Sequence, residues 1–433
     1  MEAATKAQAI RDQLPAGGLF AGHEWRITPE PFPLDQRLVK ELNDLGRILH
    51  QFYRATDLLY RHSLTGKQPA WVAKWLELGK PEGVLDLQRH NIFRCALPRI
   101  IRPDILLTED RWHITELDSV PGGIGLTAWL NESYASHSPI VGEATGMLDG
   151  FSNVFPQTGR VHLMVSEESA TYRPEMQWLA NKLGDRFTVG DVNLSATEKG
   201  DSIYRFFELF DLPNIEGVHD VLNAAVKGSV HLTAPPKSYL EEKMVFALFW
   251  NENLRSFWER ELGRKYFSKL RKMIPQTWLI DPAPLPPHAA MPGLEITDWR
   301  QLSQLSQKKR NLILKLSGFN ERAWGARSVR LGADLPQTDW AMAVDEAIQT
   351  FPKSPWVLQR YMKPRTSTHP WFDFESGETQ IMKGRTRLCP YYFVDDTDQT
   401  NLGGVLATIC PADKKIIHGM RDAILAPCTP AAN

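Results

Sequence analysis

Residues 102–127 read RPDILLTEDRWHITELDSVPGGIGLT. Ile105 to Thr108 and Trp112 to Asp118 carry the apolar and β-branched residues of two short strands, with Glu109, Asp110 and Arg111 as the turn between them. A glycine-rich loop follows. If Thr108 pairs with Trp112, Leu106 falls opposite Ile114, Asp104 opposite Glu116, and Arg102 opposite Asp118. Side chains alternate between faces along a strand, so these two acids, Asp104 and Arg102 share one face. Three carboxylates placed like this repel one another unless a cation sits among them. Hard oxygen ligands suit Mg²⁺, which keeps some waters and bridges carboxylates to substrate phosphates. Solvated charges on an exposed hairpin are the competing reading; Arg102 and the Gly-Gly loop weigh against it.

Composition narrows the classes. With 433 residues the chain is long enough for about two to four domains. Its 50 basic and 51 acidic residues nearly cancel, which gives no reason to expect nucleic acid or membrane as a partner. The longest purely apolar run, Met244 to Trp250, is far too short to span a bilayer. The first residues, MEAATKAQAIRDQL, mix acids and bases without an apolar signal core, so a cytoplasmic location is expected. Cys95, Cys389, Cys410 and Cys428 form no C-x-x-C pair, which points to reduced thiols rather than a zinc site. The 14 tryptophans are scattered, as core or pocket wall.

Up to about residue 100 the chain reads as mainly helical. Leu38, Leu42, Leu45, Leu49, Phe52 and Leu59 recur at helical spacing behind a cap at Asp35, and Trp71 to Leu78 suggests a second helix. Packing, or one wall of a substrate pocket, is the expected use. Patches at Ala16 to Gly22 and Lys80 to Gly83 read as turns. Ala128 to Met147 is an expected helix. From Val161 the pattern becomes strand, helix, strand: Val161 to Val165, a helix Glu175 to Leu183 started by Pro174 and ended by Gly184, and Phe187 to Val189. Ile203 to Phe207, a helix Val218 to Val226 closed by Gly228, and Val230 to Leu232 complete it. This alternation predicts a small parallel, Rossmann-like unit, and the missing G-x-G-x-x-G argues against a dinucleotide. Tyr204 and Arg205, at a strand end, are placed to project into a cleft.

A long helix Tyr239 to Leu254 carries Lys243, and Asp281 to Pro292 is a proline-rich surface connection. Leu312 to Leu316 is a strand holding Lys315, and a buried ammonium there calls for an anion. The loop SGFNERAWGARS, Ser317 to Ser328, follows at once, with Gly318, Gly325, Arg322 and Arg327. It suits a flexible lid over phosphates, although no G-K-[ST] makes it a P-loop. Trp356 to Tyr361, WVLQRY, is a strand whose backbone and Gln359 suit an adenine edge. Arg385 to Val394, with Arg387, and Gly404 to Ile409 form a final strand pair, and the terminal TPAAN is expected to be disordered. Two lysines, a mobile glycine loop and Mg²⁺ carboxylates are what holding a nucleoside triphosphate requires.

In this order the residues resemble the circularly permuted ATP-grasp ligases, the family of the synthetase part of glutathionylspermidine synthase. Arg102, Asp104, Glu116 and Asp118 match the family's Arg-x-Asp and later Glu-x-Asn, with Asp in place of the final Asn. The resemblance implies that Asp104, Glu116 and Asp118 hold two Mg²⁺ ions and that Arg102 touches the transferred phosphoryl group or the acyl phosphate. It implies ATP contacts for Lys243, Lys315, Ser317, Gly318, Arg322, Gly325, Gln359, Arg360, Tyr361 and Arg387. Ser119, Gly122 and Gly123, in the loop that also holds Gly125, would hold the substrate carboxylate through backbone N–H groups. The implied class is α/β (α+β): a circularly permuted ATP-grasp core with an inserted Rossmann-like unit. Its regions are a mainly helical 1–100, metal-binding strands at 101–155, the Rossmann-like unit at 156–238, and the lysine and glycine-loop lobe with C-terminal strands at 239–433.

The implied activity is ATP-dependent carboxylate–amine ligation through an acyl phosphate, on small-molecule or peptide acids and amines. A phosphotransferase of the same fold and a catalytically silent ATP-binding protein are the alternatives. The acid, the amine and the oligomeric state, a homodimer included, stay open.

Overall fold

The computed structural model describes residues 3–15, 25–286, 289–323, 325–417 and 422–431. The glycine patch at 16–22, Trp324 of the glycine loop and the last two residues lie outside the described residues. In chain order the strands are β1 (Phe32–Leu34), β2 (Ile100–Leu107), β3 (Trp112–Asp118), β4 (Val161–Val165), β5 (Phe187–Gly190), β6 (Ser202–Phe206) and β7 (His231–Thr233). They continue as β8 (Thr277–Leu279), β9 (Leu312–Leu316), β10 (Arg330–Leu331), β11 (Trp356–Arg360), β12 (Thr366–Asp373), β13 (Glu378–Val394), β14 (Thr400–Pro411) and β15 (Ile424–Pro430). Two compact units result: one of Met1–Gln51, His90–Pro235 and Pro364–Asn433, the other of Phe52–Arg89 and Pro236–Lys363. The helix Gln36–Leu64 begins in the first and ends in the second. Its cap is the expected one, since the Leu38 amide donates to Asp35 Oδ1 at 2.7 Å.

The first unit holds a mixed sheet in the order β1-β15-β14-β13-β2-β3, and β12 pairs with the first half of β13 on the side where β2 pairs with its second half. The β2–β3 register differs from the simple hairpin at its turn and agrees with it at the acids. Leu107 pairs with Trp112 and Leu106 with His113, one residue off the expected partners. A bulge after Asp104 restores Asp104 opposite Glu116 and Arg102 opposite Asp118. A turn one residue longer than expected and a bulge of one extra residue cancel. At the chain's end Thr429 and Pro430, expected to be disordered, pair with Pro33 and Leu34 in a parallel β15–β1 ladder.

The unit's second sheet, β5-β4-β6-β7, is parallel throughout. Every residue of β4 and β6 is buried, as their apolar sequences require. The helix Arg173–Leu183 has Pro174 in its first turn and Gly184 at its C-cap, and Val218–Val226 starts after Gly217 in the left-handed region. One expected helix is two: Ile124–Ala135 and Gly146–Asn153, with Pro139 in the irregular segment between them. Tyr204 and Arg205 do not reach a cleft; both are fully buried. The Arg205 guanidinium donates to the carbonyls of Phe207 at 2.5 Å and Ala234 at 3.3 Å. It ties down the chain leaving the sheet.

The second unit is organised on an antiparallel sheet, β10-β9-β11-β8. Trp340, Trp356, Leu314 and Leu358 form its core, each fully buried. The expected helix Tyr239 to Leu254 is broken into a 3₁₀ turn Ser238–Glu241, an α-helix Met244–Trp250 and a 3₁₀ turn Glu252–Leu254. Lys243 is the cap residue of the α-helix rather than a member of a long one. A helix not anticipated, Arg255–Met273, follows, bent at Gly263 (φ +69°). The patch at Lys80 to Gly83 is likewise less turn than helix, since Glu82–Arg89 is helical. Among the described residues no helix is long and apolar enough to cross a membrane.

Candidate functional site

In the first unit the shared sheet face gathers a cluster of acids and arginines. Arg102 Nη2 lies 2.9 Å from Asp118 Oδ2, and its Nε 3.3 Å from Asp104 Oδ1. Arg387, reaching over from β13, places Nη1 3.0 Å from Asp104 Oδ2. The Cys389 thiol donates to Asp104 Oδ1 at 3.4 Å, and the Val120 amide to Asp118 Oδ1 at 2.9 Å. Burial pushes the Cys389 thiol up to about 12, so it stays protonated and able to donate. Burial also raises Asp118, against the pull of Arg102.

This cluster does not fit two Mg²⁺ ions held by Asp104, Glu116 and Asp118. Among the described residues no three acidic, histidine or cysteine side chains are gathered to hold a metal ion. The Arg102 guanidinium already lies between Asp104 and Asp118, and Arg387 takes the other oxygen of Asp104. A divalent ion entering there would meet like charge and have to displace one of these arginines. The expectation from the carboxylates alone missed that Arg387 joins Arg102 on the same face.

The loop after β3 has partners within the chain itself. The amide of Gly125 donates to Glu175 Oε1 at 2.9 Å, and Glu175 is completely buried. Burial pushes its carboxyl up to about 7, against the lowering effect of the Gly125, Gly123 and Leu126 amides. These amides, at the start of the helix Ile124–Ala135, thus hold the carboxyl group of Glu175. Gly122 contributes its carbonyl, which accepts from Arg102 Nη1 at 3.2 Å and the Tyr391 hydroxyl at 2.8 Å. A Cβ on Gly123 (φ +90°) would fall 2.4 Å from the Tyr391 hydroxyl oxygen. Ser119 is 3% exposed, and its hydroxyl has no hydrogen-bond partner among the described residues.

Gly125 gives a test in which two effects oppose. It lies inside a helix, where alanine is normally favoured by about 0.5–1 kcal/mol. Yet its Cβ would stand 2.7 Å from the Glu175 carbonyl oxygen and 2.8 Å from Glu175 Cγ. Overpacking against backbone costs about 1–3 kcal/mol. Gly125→Ala should therefore lower the urea midpoint; an unchanged or raised midpoint would mean that the helix Arg173–Leu183 yields freely.

The second unit holds the residues expected at ATP, Arg387 excepted. Lys315, on β9, is buried and donates to Gln359 Oε1 on β11 at 3.1 Å. Gln359 passes the row on, donating to Thr277 Oγ1 of β8 at 3.1 Å. Lys243 bonds to the loop at two levels: its amide donates to the Ser317 carbonyl at 2.8 Å, and its ammonium to the Ala323 carbonyl at 3.1 Å. Both ends of the loop are fastened to the end of β9. The Ser317 hydroxyl donates to Glu242 and accepts from the Met244 amide at 2.9 Å, while Ser328 Oγ accepts from the Leu316 amide at 3.2 Å. Arg322 pairs with Glu346 at 2.8 Å, and Gly325 takes φ +60°. Lys243, Lys315, Ser317, Gly318 and Gln359 thus belong to one neighbourhood.

Arg360 and Tyr361 do not join them. Arg360 pairs with Leu312, at the opposite end of β9 from Lys315, and its guanidinium binds the Gly293 carbonyl and stacks 5.5 Å from the Trp278 ring. Tyr361 lies past the strand, its amide on the Asn311 carbonyl. Arg387 is in the first unit, beside Asp104. Sequence reading missed Glu175, Lys80 and Glu242, whose partners lie far away in the chain. Only the adjacency of Glu242 to Lys243 offered a hint.

No family model matches the sequence, and no curated protein does. Fold comparison gives a class first: a mixed α/β fold shared with a glutathione synthetase-like protein, consistent with the ATP-grasp-like fold expected. The particular match with most weight is the apoform of a glutathione synthetase-like effector, GSS30, from Globodera pallida. It gives a TM-score of 0.53 at 11% identity, covering 99% of this chain and 97% of that one. A putative gamma-glutamylcysteine synthetase from Methylobacillus flagellatus KT gives 0.41 at 11% identity, over 89% and 87%. D-alanyl-alanine synthetase A from Vibrio cholerae O1 biovar eltor str. N16961 gives 0.25 at 10%, over 58% and 88%. At 11% identity the first likeness is one of fold alone, and the two weaker superpositions add no weight to it.

Proposed function

We propose that this chain is an ATP-dependent carboxylate–amine ligase, with a circularly permuted ATP-grasp core and a Rossmann-like insert formed by β4 to β7. The observation that carries the reading is the gathering of Lys243, Lys315 and the Ser317–Ser328 loop at one end of β9. Two ammonium groups beside a loop of backbone N–H groups neutralise a polyphosphate without covalent chemistry. The fold likeness to a glutathione synthetase-like protein supports the same class.

In this reading the substrate carboxylate attacks the γ-phosphorus of ATP, giving an acyl phosphate and ADP. An amine then attacks the acyl carbon, phosphate leaves, and the ammonium proton passes to solvent. Mg²⁺ arrives with the nucleotide as part of the substrate. Arg102 and Arg387 keep 18% and 21% of their side-chain surface exposed, and we assign them to the carboxylate and its phosphorylated form. Neither acts as a base, because a guanidinium stays charged at any working pH.

The test is trapping. With Mg-ATP, pooled acids and hydroxylamine, the protein should yield a hydroxamate with stoichiometric ADP and phosphate. AMP and pyrophosphate would replace the acyl phosphate with an adenylate. A stable phosphorylated product that resists hydroxylamine would favour a phosphotransferase.

A further inference from the structure

The N-terminal segment, read from sequence as packing, supplies the second unit with a completely buried lysine. The side chain of Lys80 is 0% exposed and that of Glu242 1%, with Nζ 2.6 Å from Oε1. Lys80 Nζ also donates to the Leu76 carbonyl at 2.6 Å and stands 5.7 Å from the centre of the Phe319 ring. Phe319 holds φ +43°, a conformation that a bulky L residue seldom adopts. Glu242 uses its other oxygen to accept from the Ser317 hydroxyl. That hydroxyl accepts from the Met244 amide, and the Ser317 carbonyl accepts from the Lys243 amide. Glu242 also packs against Gly318, where a Cβ would come within 3.0 Å of the carboxyl carbon.

A buried ion pair seldom adds net stability, since desolvation offsets much of its Coulomb attraction. One that also fastens a loop calls for a different account. We propose that Lys80 and Glu242 are positioning residues: together with Ser317 they form a clamp that fixes Lys243 and the entry to the Ser317–Ser328 loop. The clamp rests on the reading of that loop as phosphate-covering for its purpose, though not for its existence. Lys80 anchors Glu242, Glu242 orients Ser317, and Ser317 holds two consecutive amides at the start of the helix Met244–Trp250. The Lys243 ammonium is thereby directed at the loop carbonyl of Ala323. The far side of the loop, by contrast, is tied by Arg322 and Glu346, a pair with 43% and 32% side-chain exposure that is easily released. The loop is fixed at its root, and its middle is held by single contacts of Ala323 with Lys243, Asn320 with Ser354 and Arg322 with Glu346.

Three variants test this without removing a buried charge from its partner. Ser317→Ala cuts the clamp, Ser317→Thr keeps a hydroxyl, and the paired change Lys80→Met with Glu242→Leu removes both charges at once. Limited trypsin digestion without nucleotide reads the root directly. Ser317→Ala and the paired variant should be cut at Arg322 or Arg327 at least about tenfold faster than the parent, with Ser317→Thr close to the parent. Affinity for a non-hydrolysable ATP analogue with Mg²⁺ should fall in parallel, also restored by threonine. Cleavage unchanged in both clamp variants overturns the proposal, as does equal loss in Ser317→Ala and Ser317→Thr. If the parent protein binds no nucleotide while clamp variants are still cut faster, the clamp stands and the ligase reading fails.

Discussion

In Arg102→Ala the urea midpoint should fall by the equivalent of about 3 kcal/mol, and hydroxamate formation should drop at least about a hundredfold. The stability loss comes from what the guanidinium leaves behind. Asp104 pairs with Glu116 across the β2–β3 ladder and Arg102 with Asp118, so without Arg102 the three carboxylates share a face with Arg387 alone. The lower end of the range for broken buried pairs applies, since the Asp118 side chain retains 29% exposure. Arg102→Lys separates the two effects. A point charge restores part of the attraction, but it lacks the planar fork that reaches Asp104, Asp118 and the Gly122 carbonyl together. Its stability should lie between parent and alanine, with turnover near alanine. Combined with Asp118→Asn, the alanine variant should lose less than the sum of the single changes. Strict additivity, or full turnover in Arg102→Lys, would remove the arginine from the site's centre.

A second large effect lies in the pH dependence set by Glu175. Its carboxyl ionises near 4.5 when solvated and at about 7 in the folded chain. Between those values the folded state holds a proton that the unfolded state has released. Stability attributable to this group is therefore fully present below 4.5 and declines as pH rises through 7. Two to three pKa units correspond to a decline of about 3 kcal/mol. Glu175→Gln keeps an oxygen for the Gly125 amide and never ionises, so it escapes the decline. Urea unfolding of both proteins between pH 5 and 8 should show the variant gaining on the parent by about this amount. A constant difference across that range would mean that Glu175 is ionised throughout in the folded protein. Because the comparison is a difference, titrating groups common to both proteins cancel.

How much was legible varied with the locality of the forces. Val161–Val165, Val218–Val226 and Leu312–Leu316 lie where their patterns put them, since each is set by its own apolar residues and flanking turns. Asp104 and Glu116 were paired correctly from a turn that was not the real one, because turn length and bulge compensate. The long helix expected across Tyr239 to Leu254 fails for a tertiary reason. Lys243 gives its amide to Ser317, and Asn251 leaves helical geometry to cap the next turn through its side chain. The highly charged Arg255–Met273 was overlooked because its polar residues hide the buried stripe Phe257, Trp258, Leu262, Phe267 and Leu270. In the site, residue types were readable and their partners were not. Arg387 beside Asp104, Glu175 on Gly125 and Lys80 on Glu242 all join positions far apart in sequence, and one sequence holds no signal for such pairs.

The pairing of Lys80 with Glu242 also bears on how the chain is made. These residues are separated by 162 positions, and between them the ribosome produces all of the first unit's parallel sheet. At about 5–20 residues per second, Lys80 and its helices wait roughly 8–30 s for their partner. During that interval Val72, Leu76, Val84 and Leu85, apolar faces that end up buried, have no second unit to cover them. Synthesis rate and chaperone supply, rather than the strength of the finished contacts, should then set the yield of native protein.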